Sequence, residues 1–86
     1  MKKKGITIRL ENGLEARPIA MLVQVASRYE SSIYIETGDK KVNAKSIMGM
    51  MTLILSEGDT ITVSADGKDE DEAIAGIDEY LSGKTE

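Results

Sequence analysis

Two places in the sequence carry residue types and spacings that could do chemistry. Ser46 directly precedes the run Ile47-Met48-Gly49-Met50-Met51. A hydroxyl residue ahead of a short apolar run is a favoured helix N-cap. A helix starting there would aim its first backbone N–H groups and the positive end of its dipole at the Ser46 oxygen. A phosphate esterified to that oxygen would be held by the helix itself. The chemistry offered is that of a phosphorylation switch. The same residues also read as an ordinary cap followed by core, with Ile47, Met48, Met50 and Met51 all buried. The second place is Glu15 and Arg17, at the mouth of a helix, where a carboxylate complements the dipole and a guanidinium stands beside the same end. A surface cap with an adjacent charge explains that pair equally well.

The residues that are missing narrow the chemistry further. The chain has no Cys and no His. No thiolate nucleophile, disulfide framework or cysteine metal site is therefore available. Nor is there an imidazole base, a Ser-His-Asp relay or a histidine metal ligand. Carboxylate pairs and lysines remain, without a sharp catalytic signature, so a non-enzyme is expected, with no catalytic residue, no metal and no cofactor. The acidic stretch at Asp69–Glu72 lacks the alternating oxygen ligands, central glycine and terminal glutamate of a calcium loop.

A length of 86 residues allows a single domain, 1–86, with a modest core. Hydrophobic residues at 41% and charged residues at 30% describe a folded domain rather than a disordered tail. A net charge of -4 and a pI near 4.8 give no electrostatic support for nucleic-acid binding. Lys2-Lys3-Lys4 is the one basic run, lacks interleaved aromatics, and reads as a flexible, solvated start. No apolar segment approaches membrane-spanning length, and nothing after the lysines resembles a signal-peptide core, so a cytoplasmic protein away from membranes is expected.

The elements that must position these residues follow from periodicity. Ile6, Ile8 and Leu10 alternate with Thr7 and Arg9 as a first strand, broken by Asn12-Gly13. From Ala16 the spacing becomes helical through Ile19, Leu22, Val23 and Ala26, with Pro18 in the first turn and an end near Arg28 or Tyr29. Ile33 and Ile35 form a second strand, Thr37-Gly38-Asp39-Lys40 a turn, and Val42 and Ala44 a short third strand, making a hairpin. The Ser46 helix is expected to reach Leu53 or Leu55. Ile61, Val63 and Ala65 alternate with Thr60, Thr62 and Ser64 as a fourth strand with a solvated polar face. A last helix opens with Asp69 as N-cap and Glu72 in capping-box position, buries Ala73, Ile74, Ile77, Tyr80 and Leu81, and stops at Gly83. The order is βαββαβα, and each strand has one apolar face. One antiparallel-dominated four-stranded sheet with the helices on one face accounts for it, an α+β arrangement. A helix joins the first two strands, which would make them parallel neighbours; the fourth strand is the candidate to separate them.

Gly13-Leu14-Glu15-Ala16-Arg17-Pro18 and Lys45-Ser46-Ile47-Met48-Gly49 resemble, in residue type and separation, the two signature stretches of the HPr family. These are the small histidine phosphocarriers of the bacterial sugar phosphotransferase system. The resemblance covers nearly the whole chain and implies an open-faced β-sandwich of HPr type. It places the family's phosphorylated histidine at position 15, which here is Glu15. A carboxylate cannot replace a ring nitrogen in that relay, so transfer of phosphate from phosphoenolpyruvate to sugar permeases is not expected. The resemblance to the histidine-lacking, catabolite-repression branch implies phosphorylation of Ser46 by HPr kinase/phosphorylase, then binding to the transcription regulator CcpA as corepressor. Partner-binding residues implied are Arg17, Met21, Gln24, Ile47, Met48 and Met51. The alternative is an unmodified allosteric partner of an enzyme, using the same apolar patch. A homodimer formed by exchange of the amino-terminal strand is also compatible with the sequence.

Overall fold

In the computed structural model, residues 1–10, 16–53 and 55–83 are described, without the side chains of Ala16 and Arg17. The order is β1 (Lys2–Thr7), α1 (Ala16–Ser27), β2 (Ser32–Thr37), β3 (Lys40–Asn43), α2 (Ile47–Met50), β4 (Thr60–Asp66) and α3 (Glu70–Leu81). The strands form one four-stranded sheet in the order β1-β4-β2-β3, and every neighbouring pair is antiparallel. β4 does lie between β1 and β2, as the helical connection between those two strands requires. The inward row of the sheet (Ile6, Ile33, Ile35, Ile61, Val63 and Ala65) meets the helices' buried residues in one core. α1 packs against α2 on one side and α3 on the other. The fold is an open-faced α+β sandwich.

The first strand begins earlier than the apolar alternation suggests. Lys2, Lys3 and Lys4 are not a loose start; they pair in register with Ala65, Ser64 and Val63. Side chains alternate across the pleat. Lys2 and Lys4 therefore face α3, where they meet Asp71 at 3.7 Å and Asp78 at 2.5 Å, and Lys3 points to the open face, 3.8 Å from Glu36. A lysine-rich outer strand also discourages edge-to-edge pairing. Ile8 stays fully buried beyond β1, because the chain there exchanges hydrogen bonds with Gly58 and Asp59 rather than with the sheet.

α1 ends at Ser27, and Val25 rather than Val23 joins Ile19, Leu22 and Ala26 in the core. Gly38 turns the β2–β3 hairpin with φ +56, and Gly83 ends α3 with φ +76; both are backbone conformations that disfavour a Cβ. The outward face of β4 is not uniformly solvated. Ser64 is buried, since β4 is an inner strand and Lys3 and Tyr34 flank it in register.

The start of α3 departs from a capping box. Asp69 makes no side-chain hydrogen bond to its own helix. Its carboxylate turns back to the α1–β2 connection, accepting from the Glu30 N–H at 2.9 Å, the Ser31 N–H at 3.0 Å and the Ser31 hydroxyl. Glu70, not Glu72, closes the local turn by accepting from the Gly67 N–H at 3.1 Å. Ser31 is buried against Gly67 so closely that a Cβ at 67 would stand 2.7 Å from the Ser31 Cα. Three donors held in that corner outcompete the helix's own first N–H groups for the one carboxylate.

Candidate functional site

Ser46 caps a helix of a single turn. Its backbone is extended at φ -104, ψ 111, and its Oγ accepts from the Gly49 N–H at 3.3 Å while its carbonyl accepts from the Met50 N–H at 2.9 Å. Just upstream, the Asn43 side chain accepts from the Lys45 N–H at 2.8 Å, forming a local turn that delivers the chain to the cap. The helix does not continue to Leu53 or Leu55. After Met51 the bonding tightens, with Thr52 and Leu53 donating to the carbonyls of Gly49 and Met50 at 3.1 Å. Gly49 inside the turn disfavours extension, and the Lys40 ammonium takes the Thr52 carbonyl at 3.0 Å. Brevity weakens the dipole argument for Ser46. What a one-turn helix does offer is its first N–H groups, which have no partner within the helix.

The apolar run divides at this cap. Met50, Leu53 and Leu55 enter the core, whereas Ile47, Met48 and Met51 remain 45%, 79% and 56% exposed. Met21 on α1 is 41% exposed, and Gln24, one turn further along that helix, is exposed too. Because α1 packs beside α2, these residues and the exposed Ser46 lie on adjoining helices. The reading in which all four apolar residues after Ser46 are core therefore holds for Met50 alone. Glu15 and the side chain of Arg17 fall outside the described residues.

Lys45 is a neighbour that the sequence pattern did not single out. Its ammonium donates to the Tyr29 carbonyl at 2.6 Å, just past the end of α1, and so ties the Ser46 turn to that helix. This contact spans sixteen residues and has no local signature. The shifted titrations lie elsewhere. The Ser31 hydroxyl and the Glu30 and Ser31 amides hold the Asp69 carboxyl below its usual range. The Gly67 amide lowers Glu70, and burial raises the Tyr80 phenol. Among the described residues, no group of three or more acids, histidines or cysteines could hold a metal ion, and no helix is long and apolar enough to cross a membrane.

Residues 2–82 match the family described as PTS HPr component phosphorylation site. The chain belongs to the HPr family. Within it, the chain is 47% identical over 81 residues to the HPr-like protein Crh of Halalkalibacterium halodurans, covering 94% of this chain and 96% of that one. Its structure is similar to HPr-C-His of Thermoanaerobacter tengcongensis, with a TM-score of 0.91 and 48% identity over 98% of this chain and 94% of that one. It is also similar to Crh of Bacillus subtilis, a swapped dimer, with a TM-score of 0.75 and 46% identity over 94% of this chain and 93% of that one. Identity is nearly equal toward HPr and Crh relatives, so it does not separate them. The chain itself contains no histidine.

Proposed function

We propose that this chain is a regulatory HPr-like protein of the cytoplasm, a binding module rather than an enzyme, whose switch is Ser46. HPr kinase/phosphorylase would transfer the γ-phosphoryl group of ATP to the Ser46 Oγ. The Oγ–P bond forms as the bond to the β-phosphate oxygen breaks, the hydroxyl proton passes to the kinase, and ADP leaves. The product then binds CcpA as corepressor. The observation that carries this reading is an exposed hydroxyl at the head of a helix whose next apolar residues face solvent. Phosphorylation adds roughly -1.5 to -2 charges and strong acceptor oxygens there. The neighbouring Lys45 ammonium is occupied by the Tyr29 carbonyl, which favours recognition of the new charge by a partner over neutralisation within the chain. Ile47, Met48 and Met51, with Met21 and Gln24 from α1, supply an adaptable apolar rim. Arg17 contributes an ion pair to the partner, and Glu15 holds a permanent negative charge near it.

Incubation with HPr kinase and ATP should add one phosphate, lost in Ser46→Ala, and raise affinity for CcpA. An unchanged mass rejects the proposal. Equal CcpA affinity of Glu15→Gln and the unmodified sequence removes Glu15 from it. Enzyme I with phosphoenolpyruvate should leave the protein unlabelled.

The apolar rim is exposed without modification, which supports a second reading as an unmodified allosteric partner of an enzyme; capture of an enzyme by the Ser46→Ala protein favours it. β1 is an outer strand bonded to β4 alone, which supports a homodimer by strand exchange, testable by sedimentation.

A further inference from the structure

Between α1 and α3 lies a groove of about 620 Å³ that shares only Met21 with the residues named beside Ser46. Met21, Val25, Tyr29, Ala75 and Tyr80 are among the residues that line it. Tyr29 closes one end of it by lying over Gly76, where any side chain would collide with the Tyr29 hydroxyl. The two helices run antiparallel. The Tyr80 hydroxyl donates to the Pro18 carbonyl at the start of α1, whereas Tyr29 and Glu30, after its end, lie against Gly76 and Asp69.

The charges of α3 are sorted by side. Acids turned toward β1 are engaged, Glu70 by the terminal amine at 3.4 Å, Asp71 by Lys2 and Asp78 by Lys4. Glu72 and Glu79 line the groove and have no ion pair among the described residues. Arg28 lines the Glu72 end without forming a salt bridge there. Among the described side chains, that end sets one cation against one acid, and the Glu79 end, beside Tyr80 and Met21, holds one acid with no cation opposite it.

We infer that the α1–α3 groove is a second docking surface, for a basic amphipathic helix of a partner protein. Its apolar row packs over Ala75 beside the Tyr29 ring, and its cation meets Glu79, with its aliphatic stem along the Tyr80 ring. A volume of about 620 Å³ suits a row of side chains, and Glu72 and Glu79, seven residues apart, are about 10.5 Å apart along the helix, the spacing of two turns on a docked helix. Tyrosine faces attract cations, and a carboxylate beside them reinforces the preference. The surface does not require a phosphate on Ser46.

The test is titration of the ¹⁵N-labelled full chain with a capped 14-residue helical peptide carrying lysines seven residues apart and leucines between them on the same face. A peptide of scrambled order serves as the control. The expected result is amide shift changes at Val25, Gly76 and Tyr80, and affinity lowered about tenfold by Glu79→Gln, a factor within reach of one interfacial charge pair. Glu72→Gln should cost less, and Ser46→Ala nothing. Equal binding by Glu79→Gln, equal binding of the scrambled peptide, shifts confined to the α2 surface, or no shifts at all would each overturn the inference.

Discussion

α2 and α3 begin from similar ingredients, a capping residue followed by an apolar pattern, and end as opposite kinds of helix. α3 runs for twelve residues and buries Ala73, Ile74, Ile77 and Leu81, so its large aliphatic residues all go to the core. α2 closes after one turn and buries only Met50 of its own residues, leaving Ile47, Met48 and, just past it, Met51 outside. An apolar residue that the fold buries reports on stability. One that the fold leaves out on a short, tethered turn adds little to stability and stays available for contact with a partner.

The sharpest way to break that contrast is to truncate one methionine of each kind. Met50→Ala should cost about 2–5 kcal/mol, the range for a buried large-to-small change, read as a fall in urea midpoint. Met48→Ala should stay within about 0.5 kcal/mol while weakening capture of the Ser46-phosphorylated protein by CcpA. Equal stability losses for the two variants would erase the distinction between the core and docking faces.

The acid that caps neither helix offers the next test. Folding lowers the Asp69 pKa, so its carboxylate contributes stability that is complete above the unfolded value, near 3.8, and is lost as pH falls through the lower folded value. Urea midpoints measured from pH 6 to pH 2 should decline over the acid end of that range. Asp69→Asn should be less stable at neutral pH and show a shallower acid decline, because Ser31 and Glu30 lose their charged acceptor. A parallel decline in both proteins would assign the acid sensitivity to other groups.

The smallest effect belongs to the β1–α3 flank. Lys4 and Asp78 approach to 2.5 Å, but the Lys4 side chain is about half exposed, and exposed pairs of this kind contribute about 0–1 kcal/mol. A double-mutant cycle with Lys4→Met and Asp78→Asn should return a coupling in that range, shrinking at high salt. A larger, salt-insensitive value would make this flank a structural anchor on a par with the core.

Much of the frame was legible in the residue pattern. Alternation at Ile33/Ile35 and Ile61/Val63/Ala65, helical spacing from Ile19 to Ala26 and again from Ala73 to Leu81, and the inserted fourth strand all appear in the structure. These features are local, or follow from a chain having to bury one face of each element. Of the candidate site, Ser46 at a helix start was legible from its type and neighbours.

What the chain's order of residues could not decide is where competing partners go. Asp69 had a cap available within its own helix, and it instead faces Ser31, thirty-eight residues away. Lys2 and Lys4 look like a solvated run until α3 places Asp71 and Asp78 opposite them. The run from Ile47 to Leu55 is apolar almost throughout, and local spacing assigns no face to a helix one turn long. Which methionines point outward was settled by the packing of α2 beside α1, because burial is a property of the assembled surface and not of any residue's own chemistry.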